Sequence, residues 1–324
     1  MTYSFYLGLA LASCASTLLA VPLWRAWSRR VGLVDDPGPR KNHEQSMPLA
    51  GGLAILTGLL VPLTALAILL QLKVMPGEVA EKIRYGVTHR AGQLGAILAG
   101  AIGMCVLGWL DDRHELRAAP KFAGQLVVAA LVAAAGIRIT LFVPSLAFSY
   151  LITILWLVIV TNAFNFMDNM NGLCAGLALI ASSLLGLTSA LHGHYLVAAI
   201  SFLVSGAVLG FLPYNFPRAS VFLGDSGSHL VGYLLAVLAI LPHFYTRKNP
   251  HPWAVLSPLL ILAVPLADLV WVVGLRWRLG QPFYVGDNNH LSHRLVRRGL
   301  NPTTVVVLIW LLAAVVGALA FLWV

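Results

Sequence analysis

Ten apolar stretches of about span length follow one another along this 324-residue chain, at about 4–24, 50–71, 93–110, 121–138, 142–163, 172–191, 195–213, 227–243, 254–276 and 303–324. A hydrocarbon core about 30 Å thick is crossed by about 20 helical residues. Inside it a backbone satisfies its own hydrogen bonds only as a helix or a closed barrel. Runs of this length predict an all-α, polytopic membrane protein of about ten transmembrane helices, as a single domain over 1–324. Composition agrees. Hydrophobic residues make up 59% of the chain and charged ones only 10%, against roughly a quarter in a soluble domain. The net charge of +9 has no compact basic domain to carry it, which excludes a nucleic-acid partner. Excess positive charge in such a chain faces the cytoplasm and anionic headgroups. Cys14, Cys105 and Cys174 sit in or beside apolar runs, with neither a disulfide framework nor a metal-ligand spacing. Leu11–Cys14 resembles a lipoprotein cleavage box, but no Lys or Arg precedes it, so the first span is expected to be retained.

With ten spans both termini share a side, and the loops after odd-numbered spans share the other. Those odd loops carry twice the Lys and Arg of the even ones. The positive-inside bias therefore puts the odd loops in the cytoplasm and both termini outside. Five polar clusters fall in the odd loops: DDPGPRKNHEQSMPLAGG, GWLDDRHELRAAPK, NAFNFMDNMNGL, PYNFPRASVFLGDSGS and VGDNNHLSHRLVRRG. One site on the cytoplasmic face, assembled from five loops, is the expectation.

The cluster between the fifth and sixth spans is the densest. Asn162, Asn165, Asp168 and Asn171 recur every third residue, which on a helix would put them on one face. Amides and a carboxylate at the edge of a span are costly unless they bind something. Asp111 and Asp112 are adjacent carboxylates in a low-dielectric rim, suited to a general base or to a metal and phosphate site. Lys121, at the start of the next span, reads as a phosphate contact or a snorkelling lysine. Asp225 lies in FLGDSGS. Its glycines would let helix-start amides meet an anion while the carboxylate holds Mg²⁺. Asn215 reads as a ligand contact or a cap. His290 and His293 have helical spacing but no third zinc ligand nearby, and a phosphate contact helped by Arg294, Arg297 and Arg298 is the better reading. His89, His192, His194, His243 and His251 fall in even loops and read as surface residues. Carboxylates, amides, cations and glycines at a membrane–water boundary are what a Mg²⁺-carried diphosphate requires, so the residues predict phosphoryl transfer at a bilayer surface.

In order along the chain, HxxxxPxxGG at His43–Gly52, DDxxxLxxxxK at Asp111–Lys121, NxxNxxDxxNGL at Asn162–Leu173, FxGDxGS at Phe222–Ser228 and HxxH at His290–His293 resemble the polyprenyl-phosphate N-acetylhexosamine-1-phosphate transferases. The first motif is most similar to the branch using UDP-N-acetylglucosamine and undecaprenyl phosphate. The resemblance implies that the lipid phosphate attacks the β-phosphorus of a UDP-sugar, giving lipid-diphospho-sugar and UMP, in the bacterial inner membrane. It implies Mg²⁺, with Mn²⁺ as an alternative, and a homodimer as a compatible assembly. Residue by residue, it implies Asp111 and Asp112 near the lipid phosphate, one of them as its base. Asp225 would hold Mg²⁺ with Asn165. Asp168, Asn171 and Asn215 would face the nucleotide, Lys121 and His290 the phosphates, with His43 and His293 completing the substrate contacts.

Three positions, in two motifs, depart from the bacterial pattern. DGxDGL reads here Asp168-Asn169-Met170-Asn171-Gly172-Leu173, and HxHH has Ser292 in place of its middle histidine. Asn171 can still accept a hydrogen bond from a uracil N–H, and the eukaryotic branch also has Asn-Gly-Leu here. The alternatives are the same reaction with another UDP-N-acetylhexosamine or UDP-MurNAc-pentapeptide, an ion-coupled transporter, and an inactive scaffold of the same ancestry. A transporter site should lie near mid-bilayer, and a scaffold should lack the carboxylates this chain keeps.

Overall fold

The computed structural model describes residues 2–37, 45–74, 77–141, 143–242, 244, 252–282, 284 and 287–323. Helix α1 (Thr2–Arg30) leads into a two-residue antiparallel ladder, β1 (Val34–Asp35) with β2 (Met47–Pro48). Then come α2 (Gly51–Gln71), α3 (Glu78–His89), α4 (Ala91–His114), α5 (Ala118–Ala134), α6 (Leu146–Met167), α7 (Leu173–Leu191), α8 (Tyr195–Asn215) and α9 (Gly224–Ile240). A 3₁₀ turn enters α10 (Ser257–Ile261) and α11 (Ala263–Arg278), followed by α12 (Leu291–Arg297) and α13 (Pro302–Ala318).

Among the described residues, seven helices are long and apolar enough to cross a membrane; the pair Pro252–Ile261 and Ala263–Arg278, bent by 72°, makes an eighth if it is one span. The two remaining apolar runs are α5 and α9, of 17 residues each. At 1.5 Å per residue each rises about 26 Å, somewhat less than a hydrocarbon core. For α9 that length suffices because it is the central helix, buried along nearly all of its residues and packed against α2, α4, α6 and α7. The chain is thus an all-α, polytopic membrane protein. One helix had no counterpart in the sequence reading. The loop around α3 reads as mixed polarity, yet it folds with Ala80 and Ile83 buried and Glu78, Glu81 and Lys82 outward. His192 and His194, expected at the surface, are half-buried and stack on each other.

Small residues bring helix backbones together where no hydrophobic drive separates helix from lipid. A methyl group on Gly206 or Gly210 of α8 would lie 2.1 Å from the Ala10 carbonyl oxygen or 2.4 Å from that of Cys14, both on α1. The same device builds the N-terminus of α9. A Cβ on Gly52 would sit 2.4 Å from the Gly227 nitrogen, and one on Gly108 would sit 2.2 Å from the Asp225 carbonyl oxygen. The segment before α2 is also hydrogen-bonded to the entry of α9: Phe222 N to Pro48 O (2.9 Å), Gly51 N to Phe222 O (3.0 Å) and Gly52 N to Leu223 O (3.2 Å). Pro48, Gly51 and Gly52 therefore serve this docking. Gly108→Ala should destabilise the protein by about 1–3 kcal/mol, the usual cost of overpacking, and lower activity by displacing Asp225. Gly92→Ala, on the same helix with nothing within 4 Å of its added methyl, should leave both unchanged. Thermal melting of both variants in detergent, beside an activity assay, checks the pair.

Candidate active site

The ends of α4 and α8, the starts of α9 and α13, the inner side of α12 and the turns after α4, α6 and α8 line a cavity of about 1170 Å³. Four of the five polar clusters line it, and the fifth lines it through Asp35, Met47 and Leu49 on the ladder. His43 lies outside the described residues.

The centre of the acidic wall is Asp225, in the first turn of α9. Lys121, one turn into α5, bridges Asp225 Oδ2 (2.7 Å) and Asp111 Oδ2 (2.6 Å). Asn165 donates from Nδ2 to Asp225 Oδ1 (2.7 Å) and to Ser228 Oγ (2.9 Å). Asp111 Oδ1 accepts from Leu116 N (2.8 Å), across the left-handed turn at Glu115 (φ 47°) that ends α4. Asp112 points elsewhere. Its Oδ1 accepts from Asp225 N (2.7 Å) and its Oδ2 from Ser226 N (3.0 Å). The helix-start amides expected to receive a phosphate are therefore occupied by the chain's own carboxylate. The physical reason is that an orphan helix N-terminus takes the nearest anion, and Gly108 lets α4 bring one.

The helical spacing of the densest cluster holds only for Asn162 and Asn165, because α6 ends at Met167. Asp168 caps that end and lines the cavity. Its carboxyl is held well above the usual carboxylate range by burial first, then by the negative fields of Asp225 and Asp112, against a hydrogen bond from the Gly224 amide. Asn171 lines the cavity and is exposed, with Nδ2 at 3.5 Å from the Pro217 carbonyl. Gly172 turns the chain into α7 at φ +77°, where a side chain would be strained and would strike Phe216. Asn215 is buried on the wall: its Oδ1 accepts from Gly172 N (2.9 Å) and its Nδ2 donates to Val221 O (3.0 Å), bracing that turn.

Another wall comes from α12. His293 and Arg297, four residues apart, line the cavity. Partial burial and the neighbouring His290 and Arg297 hold the His293 imidazole below its usual range, so Arg297 is the cation of this wall. His290 is buried. Its Nδ1–H donates to Asp268 Oδ2 (2.6 Å) and its ring meets Phe166 edge-on (5.6 Å), while Asp268 Oδ1 accepts from Leu291 N (2.7 Å).

Several residues here escaped the sequence reading. Asp268 passed as part of an apolar span. Arg276, the last residue of that stretch, has a side chain 2% exposed whose Nε donates to Asp287 Oδ2 (2.9 Å). Against the cost of partial burial, that guanidinium and the Asn289 amide hold the Asp287 carboxyl below its ordinary range. Beneath Asp225, His229 donates from Nδ1 to the Asp225 carbonyl (2.6 Å), leaving Nε2 to accept from Gln125 (2.9 Å). Gln125 Oε1 in turn accepts from Asn162 (2.6 Å). This neutral, satisfied network ties α5, α6 and α9 under the site. An ionisable or amide side chain inside an apolar run is the signal that could have found it.

A sequence model of the family described as Glycosyl transferase family 4 matches residues 94–243, the segment from α4 through α9 that holds all four wall aspartates. A probable undecaprenyl-phosphate N-acetylglucosaminyl 1-phosphate transferase of Bacillus subtilis is 33% identical over 310 residues, 93% of this chain and 80% of the relative. A decaprenyl-phosphate N-acetylglucosaminephosphotransferase of Mycobacterium tuberculosis is 33% identical over 333 residues, 95% of this chain and 80% of its own length. An undecaprenyl-phosphate alpha-N-acetylglucosaminyl 1-phosphate transferase of Escherichia coli K12 is 28% identical over 314 residues, 92% of this chain and 78% of the relative. Likeness of that extent, over nine-tenths of the chain, makes this chain a phosphoglycosyltransferase, a member of the polyprenyl-phosphate N-acetylhexosamine-1-phosphate transferases of glycosyl transferase family 4.

Proposed function

We propose that the protein transfers N-acetylglucosamine 1-phosphate from UDP-N-acetylglucosamine to undecaprenyl phosphate with Mg²⁺, releasing UMP, at the cytoplasmic face of a bacterial inner membrane. The observation that carries this is the cavity's charge: Asp111, Asp112, Asp168 and Asp225 line it together with His293 and Arg297, and Lys121 pairs with Asp111 and Asp225. Four carboxylates beside one ammonium are costly at low dielectric and call for a divalent cation. The donor set fits a hard ion, being all oxygen. Among the described residues no three His, Cys, Asp or Glu side chains form a metal cage. That suits Mg²⁺, which keeps several waters and takes one or two carboxylates with substrate phosphates. Asp225 would hold it, with Asn165 fixing the Asp225 carboxylate. When bound, Mg²⁺ supplies charge neutralisation at the diphosphate.

The chain's own residues do the rest. Asn171 and Asp168 bind the nucleoside end beside the turn that Asn215 braces. Arg297 and His293 hold the diphosphate from the α12 wall. Asp111 takes the proton of the acceptor phosphate where one is present. An acceptor phosphate oxygen then forms a bond to the β-phosphorus, the bond from that phosphorus to the bridging oxygen breaks, and UMP leaves with the electron pair. The relatives' names print the polyprenyl-phosphate acceptor and the N-acetylglucosamine 1-phosphate group, and the excess of Lys and Arg in the odd loops supports the cytoplasmic orientation. A transporter is disfavoured because the carboxylates lie at helix ends on one side.

Purified protein given undecaprenyl phosphate, Mg²⁺ and labelled UDP-N-acetylglucosamine should yield organic-extractable label and UMP in equal amounts. EDTA should abolish both, and added Mg²⁺ should restore them. Transfer from a different UDP-sugar alone would overturn the substrate, and undiminished transfer in EDTA would overturn the metal.

A further inference from the structure

Two of the three positions at which the motifs depart from the bacterial family pattern touch each other. Ser292 Oγ donates to Asn169 Oδ1 at 2.7 Å, and Asn169 Nδ2 donates to the Phe166 carbonyl at 2.7 Å. Ser292 is 1% exposed, on the inner side of α12, while Asn169 lines the cavity in the turn after α6. A glycine at 169 would offer no acceptor, so each substitution supplies what the other needs. We propose that Asn169 and Ser292 form a latch that docks α12 on the α6–α7 turn and thereby sets His293 and Arg297 at the distance a donor diphosphate requires. Both are positioning residues, and the proposal rests on the reading of the site as one for a nucleoside diphosphate-sugar.

The argument is mechanical. Helix α12 has seven residues, too few to hold itself in water, so its placement comes from tertiary contacts. Its first turn is tied to α11 through Asp268. The Arg294 guanidinium, 4.6 Å from the Trp271 ring of α11, and the packing of Leu291, Leu295 and Val296 against the core add to that tie. The Ser292–Asn169 bond supplies a second point, on another element, directly beside His293. Phe166 adds a third contact: its carbonyl takes Asn169, its ring meets His290, and the Arg276 guanidinium sits 5.0 Å above that ring. The Ser292–Asn169 bond thus adds a tie from α12 to the turn after α6. Asp111, Asp112 and Asp225 stand on α4 and α9, away from the latch, while Asp168 precedes Asn169 in the turn it holds, so loss of the latch should fall on donor binding more than on the reacting centre.

The test is Ser292→Ala, Asn169→Ala and the double variant. Hydrogen–deuterium exchange of 288–298 without substrate reads the latch itself, and steady-state kinetics with UDP-N-acetylglucosamine read its consequence. Ser292→Ala should raise exchange in 291–297 and raise the donor KM about fivefold, the weight of one hydrogen bond, with kcat changed less than about twofold. The double variant should be no worse than the poorer single one, since both break the same bond. Unchanged exchange, or effects that multiply, would overturn the latch. Raised exchange with an unmoved KM would overturn its role in donor binding. If the wild type transfers from no UDP-sugar, the reading of the site fails, and the exchange data still decide the latch.

Discussion

Asp225→Asn should lower transfer about 10³-fold while leaving the protein folded. The substitution keeps shape: an asparagine oxygen can still accept from Asn165 Nδ2, which now donates at 2.7 Å. What it removes is the negative charge where Lys121, Asn165 and the proposed cation converge. Preorganised charge in a water-poor site accounts for factors of about 10²–10³ per group, and loss of the metal's anchor puts Asp225 at the top of that range. Lys121 would then be left with Asp111 alone, and its ammonium would compete with the cation for that carboxylate. Melting in detergent should stay within a few degrees of wild type, because the amides at the start of α9 remain capped by Asp112. Calorimetric titration with Mg²⁺ in the presence of UMP should lose its heat in the variant. A variant keeping more than a tenth of wild-type turnover would remove Asp225 from the reacting centre.

The architecture was readable because lipid imposes one rule: every span is a run of about twenty apolar residues, and each predicted run holds a helix. Five polar clusters on one side of the bundle could likewise be grouped by charge bias alone, and they do meet in one cavity. What the sequence hid was direction. Adjacent letters at 111 and 112 give no sign that one carboxylate turns to Lys121 and the other to the amides of a helix 113 residues away. Periodicity ran through Asp168 and Asn171 although the helix had stopped, because a helix ending in a polar turn keeps its spacing on paper. His229 and Gln125 were invisible for the opposite reason. Each is a lone polar letter in an apolar run, and only the packing of α5 against α6 and α9 shows that they satisfy one another. The glycines at 52 and 108 carry no chemistry, yet they decide where Asp225 stands.

The divided duties of the acidic pair yield the other large effect. Asp111→Asn should reduce kcat about 10²–10³-fold, in the range expected for a lost general base, with little change in melting temperature. Asp111 can pass its Leu116 contact to an amide oxygen, so the turn after α4 survives. Asp112→Ala should act through structure. Both its oxygens serve buried main-chain amides, and stranding a buried donor costs about 1–3 kcal/mol. With two donors stranded, melting should fall by several degrees and activity should fall with it, as the first turn of α9 carries Asp225 out of reach of Lys121. Asp112→Asn separates the two accounts. It keeps one acceptor and sets an NH₂ against the second amide, so a capping role predicts intermediate stability and a loss of about tenfold in turnover. A base at 112 predicts the reverse: wild-type melting, turnover as low as in the alanine variant, and Asp111→Asn as the milder change. Asp112 spends both oxygens on main-chain amides of α9, while Asp111 spends one on Lys121, the cation that would meet a phosphate, and on that geometry the proton of the acceptor phosphate goes to Asp111.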